Sequence, residues 1–368
     1  MFSWSIKLGR IFGIPFYLHW TFLILIAFVL LQSWAAHGDL REAFQAVVFI
    51  LSLFGCVLLH ELGHALAARR YGIPTEDITL MIIGGVARLR KMPENPLHEL
   101  VVALAGPAVN LVIALVLIFS GLGVRIERDN HLHVSEIVFN NGPLGYLLIA
   151  NVMLMIFNLI PAFPMDGGRV LRALLAMTMD YPKATRTAAS IGQLFAIGFG
   201  FLGLYVGAPL LLLVALFVWI SAGAEAYQVE ERYATRDVSI GEAMLTDFVV
   251  LPPSATLGEA AEQLLAGSQQ DFPIGHGPDA IVGVLPRSRL LEGLARLGPR
   301  ALVTEAMTPG IEVVEMNGPL LPAMNRLREH GLACMQVRHQ GRSVGLLTLE
   351  NIAELMMIRA ALEASRRI

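Results

Sequence analysis

The sequence predicts a polytopic α-helical membrane protein of about six transmembrane helices, followed by a soluble α/β tail built from two similar repeats. Three observations carry this reading. Hydrophobic residues fill 55% of the 368 positions and charged residues only 15%, with a mean hydropathy of +0.62, whereas soluble chains are about a quarter charged. Apolar stretches recur up to residue 226, at the length of about 20 residues that crossing a bilayer requires. From Gln228 onward only short apolar runs remain, such as 248–251 and 281–285.

The first span is read at 16–36. A cleaved signal peptide has a shorter apolar core and a compact basic start, so this helix is expected to stay. Further spans are expected at 43–68, 97–123, 143–164, 187–206 and 208–226, the last two forming a hairpin about Gly207-Ala208-Pro209. Six spans put both termini on one side. Inner segments then hold Lys7, Arg10, Arg69, Arg70, Arg88, Arg90, Lys91, Arg169, Arg172, Lys183 and Arg186, against Arg41, Arg125 and Arg128 outside. The positive-inside rule places both termini in the cytoplasm, with 37–42 and 124–142 outside, and the cell (inner) membrane is the expected location. A net charge of −3 with no basic stripe argues against a nucleic-acid partner. Two cysteines, Cys56 and Cys334, make neither a disulfide framework nor a thiolate metal site.

The tail repeats itself: Glu242-Ala243-Met244 returns as Glu305-Ala306-Met307, and Val282-Gly283 as Val344-Gly345. Each copy reads as strand, helix, strand, strand, helix, and an internal repeat of this kind suggests two similar units packed as a pair. The expected organisation is a membrane-embedded core at 1–228 and a tail at 229–368, with repeats at about 235–294 and 298–358.

Within the second span lies His60-Glu61-Leu62-Gly63-His64. Residues i and i+4 share a helix face, so both imidazoles can address one ion. A catalytic zinc takes three protein ligands and leaves a position for water, and a glutamate beside the first ligand can take a proton from that water. Ionisable residues inside an apolar helix are costly and read as functional. A third ligand is offered by Asp166 at the end of the fourth span. There Pro161 and Pro164 cannot continue a regular helix, and Gly167-Gly168 permits a sharp turn. Broken backbone at membrane depth is tolerated only when buried in protein or lining a wet cavity. The alternative for Asp166 is the N-cap of a helix starting at Gly167.

These motifs resemble the site-2 protease family of intramembrane metalloproteases: HELGH in one span, NLIPAFPMDGG in a later one, and Ala105-Gly106-Pro107-Ala108-Val109-Asn110 between them. The resemblance runs from Gly13-Ile14-Pro15 and His19-Trp20 to about residue 228. It implies one zinc per chain held by His60, His64 and Asp166, with Glu61 as the catalytic base and a transmembrane protein as substrate. The tail resembles tandem CBS domains, which implies pairing, including a homodimer through the CBS domains, and an adenine nucleotide at Thr348 and Asn351. Asn351 stands where the ribose motif has Asp, and the first copy has Pro286 and Arg289 at its polar positions, which weakens the nucleotide expectation. The outer loops show no PDZ-like insertion.

A substrate helix must be extended before hydrolysis. The segment 79–83, Gly84-Gly85, 86–90 reads as strand, turn, strand, and an exposed edge there can receive a substrate by β-augmentation. The alternative is a loop dipping into the membrane interface. Asn110 and Asn158 can hydrogen-bond the substrate backbone or a developing oxyanion, or each can serve an interhelical hydrogen bond. Competing functions are a CBS-regulated transporter or channel and a catalytically silent membrane-protein binder.

Overall fold

The computed structural model describes residues 5–82, 84–89, 94–120 and 134–365. Ile83, Arg90 and Lys91 of the expected hairpin region, and Arg125, Arg128 and 124–133 of the expected outer loop, lie outside the described residues. The chain divides into two compact units, Met1–Val229 and Glu230–Ile368.

The first unit opens with strands β1 (Ser5–Ile11) and β2 (Ile14–His19), which sequence reasoning missed. The helix α1 (Trp20–His37) therefore begins at Trp20 and not at Phe16. The reason is physical: a strand of mostly apolar residues running directly into an apolar helix leaves no break in composition, and periodicity cannot divide them. The His19 side chain caps α1 by accepting from Thr21 N. At the other end Gly38, in the left-handed region at φ 67°, closes the helix onto Trp34 O. Asp39 immediately caps α2 (Leu40–Arg70) through Arg41 N at 2.8 Å.

After α2 come β3 (Thr75–Met81) and β4 (Gly84–Leu89). The sheet order is β1-β2-β3-β4, with β2 and β3 parallel and the other pairs antiparallel. The α1–α2 pair is thus the crossover between β2 and β3, and among the described residues β4 is left as an edge strand. The hairpin expectation holds with a shift. Gly84 and Gly85 are not the turn but the first residues of β4, paired with Met81 and Leu80.

Helix α3 (Pro96–Phe119) starts from an Asn95 cap with Pro96 at its first position, where a missing N–H costs nothing. Helix α4 (Val134–Asn158) is interrupted at Gly142 (φ 53°, ψ −136°), next to Pro143. It ends at Asn158, short of the expected 164, because Pro161 and Pro164 follow. Residues 159–165 form an irregular segment, buried at Ala162, Phe163 and Met165, that delivers Asp166 to the start of α5 (Asp166–Ala176). Helices α6 (Tyr181–Val206) and α7 (Pro209–Ala234) are joined through Gly207, left-handed at φ 69°. Among the described residues, α2, α3, α6 and α7 are long and apolar enough to cross a membrane, and α1 and α4 supply shorter apolar stretches. The 31 residues of α2 span about 46 Å, more than a hydrocarbon core of about 30 Å needs.

The second unit is α/β. Its first copy contains α9 (Leu257–Ala266), β5 (Phe272–Gly275), β6 (Ile281–Leu285) and α10 (Arg287–Arg296), preceded by the single turn α8 (Ile240–Ala243). The second contains β7 (Thr308–Pro309), β8 (Val313–Glu315), α11 (Leu320–His330), β9 (Met335–His339), β10 (Arg342–Leu347) and α12 (Leu349–Ser365). The sheets run β5-β6-β7 and β10-β9-β8. The copies exchange their leading segments. Val238, Ile240 and Ala243 are buried in the second copy's core with Leu320, Met335 and Leu347. Val303 and Ala306 are buried in the first copy's core with Leu257, Ile274 and Leu290. Each apolar core is therefore completed by residues from both repeats.

Candidate metal centre

Two imidazoles one turn apart on α2 meet the first carboxylate of α5. The Nε2 atoms of His60 and His64 lie 3.1 Å apart, and Asp166 Oδ2 lies 3.2 Å from the first and 3.0 Å from the second. All three side chains are buried, and their ligand atoms fall within 4.8 Å of one another. The imidazole rings sit edge to face, so both nitrogens can point at one spot without stacking.

Several features of the chain suit a metal there. His64 Nδ1 donates to Val102 O at 2.7 Å; a carbonyl only accepts, so the proton sits on Nδ1 and the Nε2 lone pair is free. Gly106 of α3 faces the same spot: a Cβ on it would come 2.7 Å from His60 Nε2 and closer still to His64 Nε2. Only a glycine leaves that volume open. Two imidazoles and one carboxylate match the protein donor set of a catalytic zinc, whose fourth position is taken by water.

Asp166 is brought in by close packing. It occupies the first turn of α5, capped at Met165, so it is a helical residue and not itself the cap. Gly167 and Gly168 do not form the sharp turn expected of them. They lie within α5, where a Cβ on Gly167 would come 2.5 Å from the carbonyl carbon of Leu159 and closer still to its oxygen, and one on Gly168 2.6 Å from the carbonyl carbon of Ala162. Their service is to let α5 press against the irregular segment before it.

Glu61 sits beside the cluster, and its Oε2 accepts from Ala87 N at 3.1 Å. Ala87 is on β4, so the outer edge of the sheet adjoins the glutamate. Gly85 makes the approach possible, since a Cβ there would lie 2.8 Å from Glu61 Cγ. Arg88, on the opposite side of the strand, is tied to Asp77 of β3 by a hydrogen bond from Nε of 2.9 Å.

Of the two expected asparagines, Asn110 is fully buried one turn beyond Gly106 on α3, with neither its oxygen nor its nitrogen hydrogen-bonded among the described residues. Positions i and i+4 share a face, so Asn110 follows Gly106 along the face of α3 that meets the histidines. Asn158 is half-buried at the end of α4. Sequence reasoning missed Asn151, fully buried on α4 with its Nδ2 on Leu147 O at 2.9 Å. It also missed Arg172, counted among the inner-loop cations but completely buried and paired with Glu99 and Glu225. A charged residue within an apolar segment was the available signal, and Glu99 carried it.

In the tail, Thr348 Oγ1 donates to Asn351 Oδ1 at 2.6 Å and accepts from Asn351 N at 3.2 Å. This is a helix cap for α12. A cavity of about 790 Å³ takes in Leu349 and Glu350 between them, together with Asp271, Arg289, Glu312 and His330. Burial pushes the Asp271 carboxyl above its ordinary range, and Glu312 accepts from His330 at 3.1 Å. Three carboxylates against one arginine and one histidine make a poor receiver for a polyphosphate.

Comparison with known proteins follows the same division. Residues 48–127 and 131–199 match Peptidase family M50, and residues 240–296 match the CBS domain. A zinc metalloprotease of Methanocaldococcus jannaschii is 37% identical over 273 residues, which cover 74% of this chain and 75% of that one. The solved site-2 protease from the same organism is 39% identical and covers 61% of this chain and 95% of its own, with a TM-score of 0.44. The CBS domain of a bacterial CNNM/CorC family Mg2+ transporter is 21% identical over 35% of this chain and 94% of its own, with a TM-score of 0.32.

Proposed function

Because the chain belongs to peptidase family M50, we propose that it is an integral-membrane zinc endopeptidase that hydrolyses a transmembrane protein substrate within the bilayer. The observation that carries this reading is the convergence of His60, His64 and Asp166 on one buried point beside Glu61. Family membership sets aside a transporter or channel, and the presence of Glu61 speaks against a silent relative.

His60 Nε2, His64 Nε2 and Asp166 Oδ2 would hold one zinc per chain. When bound, zinc supplies a Lewis acid and lowers the pKa of its water toward about 7. Glu61 takes the proton of the attacking water and passes it to the leaving amide nitrogen. His64 keeps its orientation through Val102 O, and Gly106 keeps the approach open. Asn110 and Asn158 offer amide donors to the substrate backbone or to the oxygen that gains charge; the unspent hydrogen-bonding capacity of buried Asn110 supports this role. The substrate, unwound from its helix, lies as a strand along the free edge of β4, entered at Gly84 and Gly85. The edge position of β4 and the nearness of Ala87 N to Glu61 support this receiver.

Residues 1–228 act as the protease core in the inner membrane with both termini cytoplasmic. Residues 229–368 act as a regulatory CBS pair and a homodimer contact. An adenine nucleotide at Thr348 and Asn351 fits poorly with their mutual hydrogen bonds and the acidic cavity beside them, and no step is assigned to it. The test is Glu61→Gln in the purified full chain. Zinc content should stay at the wild-type level while the cleavage rate falls on the order of a hundred- to ten-thousandfold. Wild-type cleavage by this variant overturns the reading.

A further inference from the structure

We propose that Arg172 is a positioning residue for the metal centre, holding α5 against α3 so that Asp166 meets the two histidines. The inference rests on the metal reading above and deepens it.

Arg172 lies on α5, six residues beyond Asp166, and is completely buried. Its Nε donates to Glu99 Oε1 at 2.7 Å, and its Nη1 to Glu225 Oε1 at 2.5 Å. The guanidinium also lies 5.0 Å from the ring centre of Phe163 and 5.1 Å from that of Tyr181. One planar cation therefore ties together four places: α3, α7, the start of α6, and the irregular segment that leads into Asp166. Glu99 stands one turn before Val102 on α3, and Val102 O fixes His64 Nδ1. The same group thus anchors both the helix that orients a histidine and the segment that presents the carboxylate.

Stability alone is a weak reason for such an arrangement, since a buried ion pair often does no better than well-packed apolar residues. Geometry gives a stronger one. Metal–ligand distances tolerate only about 0.2 Å, and Asp166 follows seven residues without regular structure. Arginine suits the task because its rigid fork addresses two carboxylates in fixed directions, which an ammonium cannot do. Outer partners that orient metal ligands typically change affinity by about 10–100-fold when removed.

The experiment uses the full chain in detergent, with Co2+ alone as the probe. It reads the visible ligand-field absorption and the affinity measured against a chelator. Wild type should bind one Co2+ with a tetrahedral-type spectrum; absence of any bound Co2+ overturns the metal reading and this inference with it. Arg172→Met should weaken Co2+ by at least about tenfold and alter the spectrum, and Arg172→Lys should restore part of both. A wild-type spectrum and affinity in Arg172→Met, even with lowered thermal stability, overturns the positioning role and leaves the metal centre standing. If Arg172→Met fails to fold, Glu225→Gln carries the test, because it loosens one arm of the clamp and leaves Glu99 in place. A smaller loss of affinity with a changed spectrum is expected there, and an unchanged centre overturns the proposal.

Discussion

His64 gives its Nδ1 proton to the main-chain carbonyl of Val102 at 2.7 Å, across the α2–α3 packing. That bond fixes the tautomer, and with it the nitrogen offered to a metal. Because the acceptor is backbone, no side-chain substitution at Val102 removes it. Side-chain changes at Val102 should accordingly leave the ligand set intact, whereas loss of a ligand should not. His60→Ala, His64→Ala and Asp166→Ala should each lose stoichiometric zinc by elemental analysis of purified protein, whereas Val102→Ala should keep it. Full zinc in all three alanine variants would show that the metal sits elsewhere.

Gly106 is the sharpest steric prediction. A methyl group there would occupy the space facing both Nε2 atoms. Overpacking a buried site costs about 1–3 kcal/mol, which a polytopic helical core can survive. Gly106→Ala should therefore remain folded by size-exclusion chromatography, yet bind zinc at least about tenfold more weakly, in the range seen when a metal site's surroundings are disturbed. Zinc affinity equal to wild type would mean that the histidines swing away from α3 when metal enters.

The β4 edge is testable through its backbone. Proline at 87 removes the N–H that now reaches Glu61 and that an incoming strand would use. Ala87→Pro should abolish cleavage at unchanged zinc content, while Ala87→Ser, which keeps the N–H, should cleave within a few-fold of wild type. The measurement compares the two at equal folded amount. Equal cleavage by both variants would rule out this edge as the substrate receiver.

What the sequence made legible here follows from range. His60, Glu61 and His64 lie within one helical turn, and the 3.6-residue period decides their common face. Asp166 was legible because two prolines advertise a broken helix just before it. Arg172 was not: its partners are 73 and 53 residues away in sequence, and an arginine after a helix break reads as an ordinary inner-loop cation. Strand β2 was hidden because its mostly apolar residues run without interruption into α1. The role of Ala87 was invisible in another way, since it is carried by an amide that every residue but proline has. In the tail, the repeat was visible as similarity, but the exchange of leading segments between copies was not. Similarity marks which residues correspond and says nothing of which core each one enters.

Topology gives the last test, and the two native cysteines make it clean. Cys56 and Cys334 are both buried, at 7% and 3% exposure, so neither competes for a thiol reagent in the folded chain. Leu40 is 76% exposed at the α1–α2 corner, which the charge distribution puts outside, and Glu262 is exposed on α9 of the tail, which it puts inside. The inner excess of Lys and Arg predicts that an impermeant maleimide added to intact cells labels Leu40→Cys and spares Glu262→Cys. After permeabilisation both should react, which checks that each position is accessible in itself. The count leans partly on Arg172 and Arg88, and both are engaged within the fold, with Arg172 fully buried. Removing these two from the inner total still leaves a clear surplus, since basic residues remain on the inner segments before α2, after α2 and around α5. Labelling of Glu262→Cys in intact cells, with Leu40→Cys spared, would invert the whole assignment and place the tail outside.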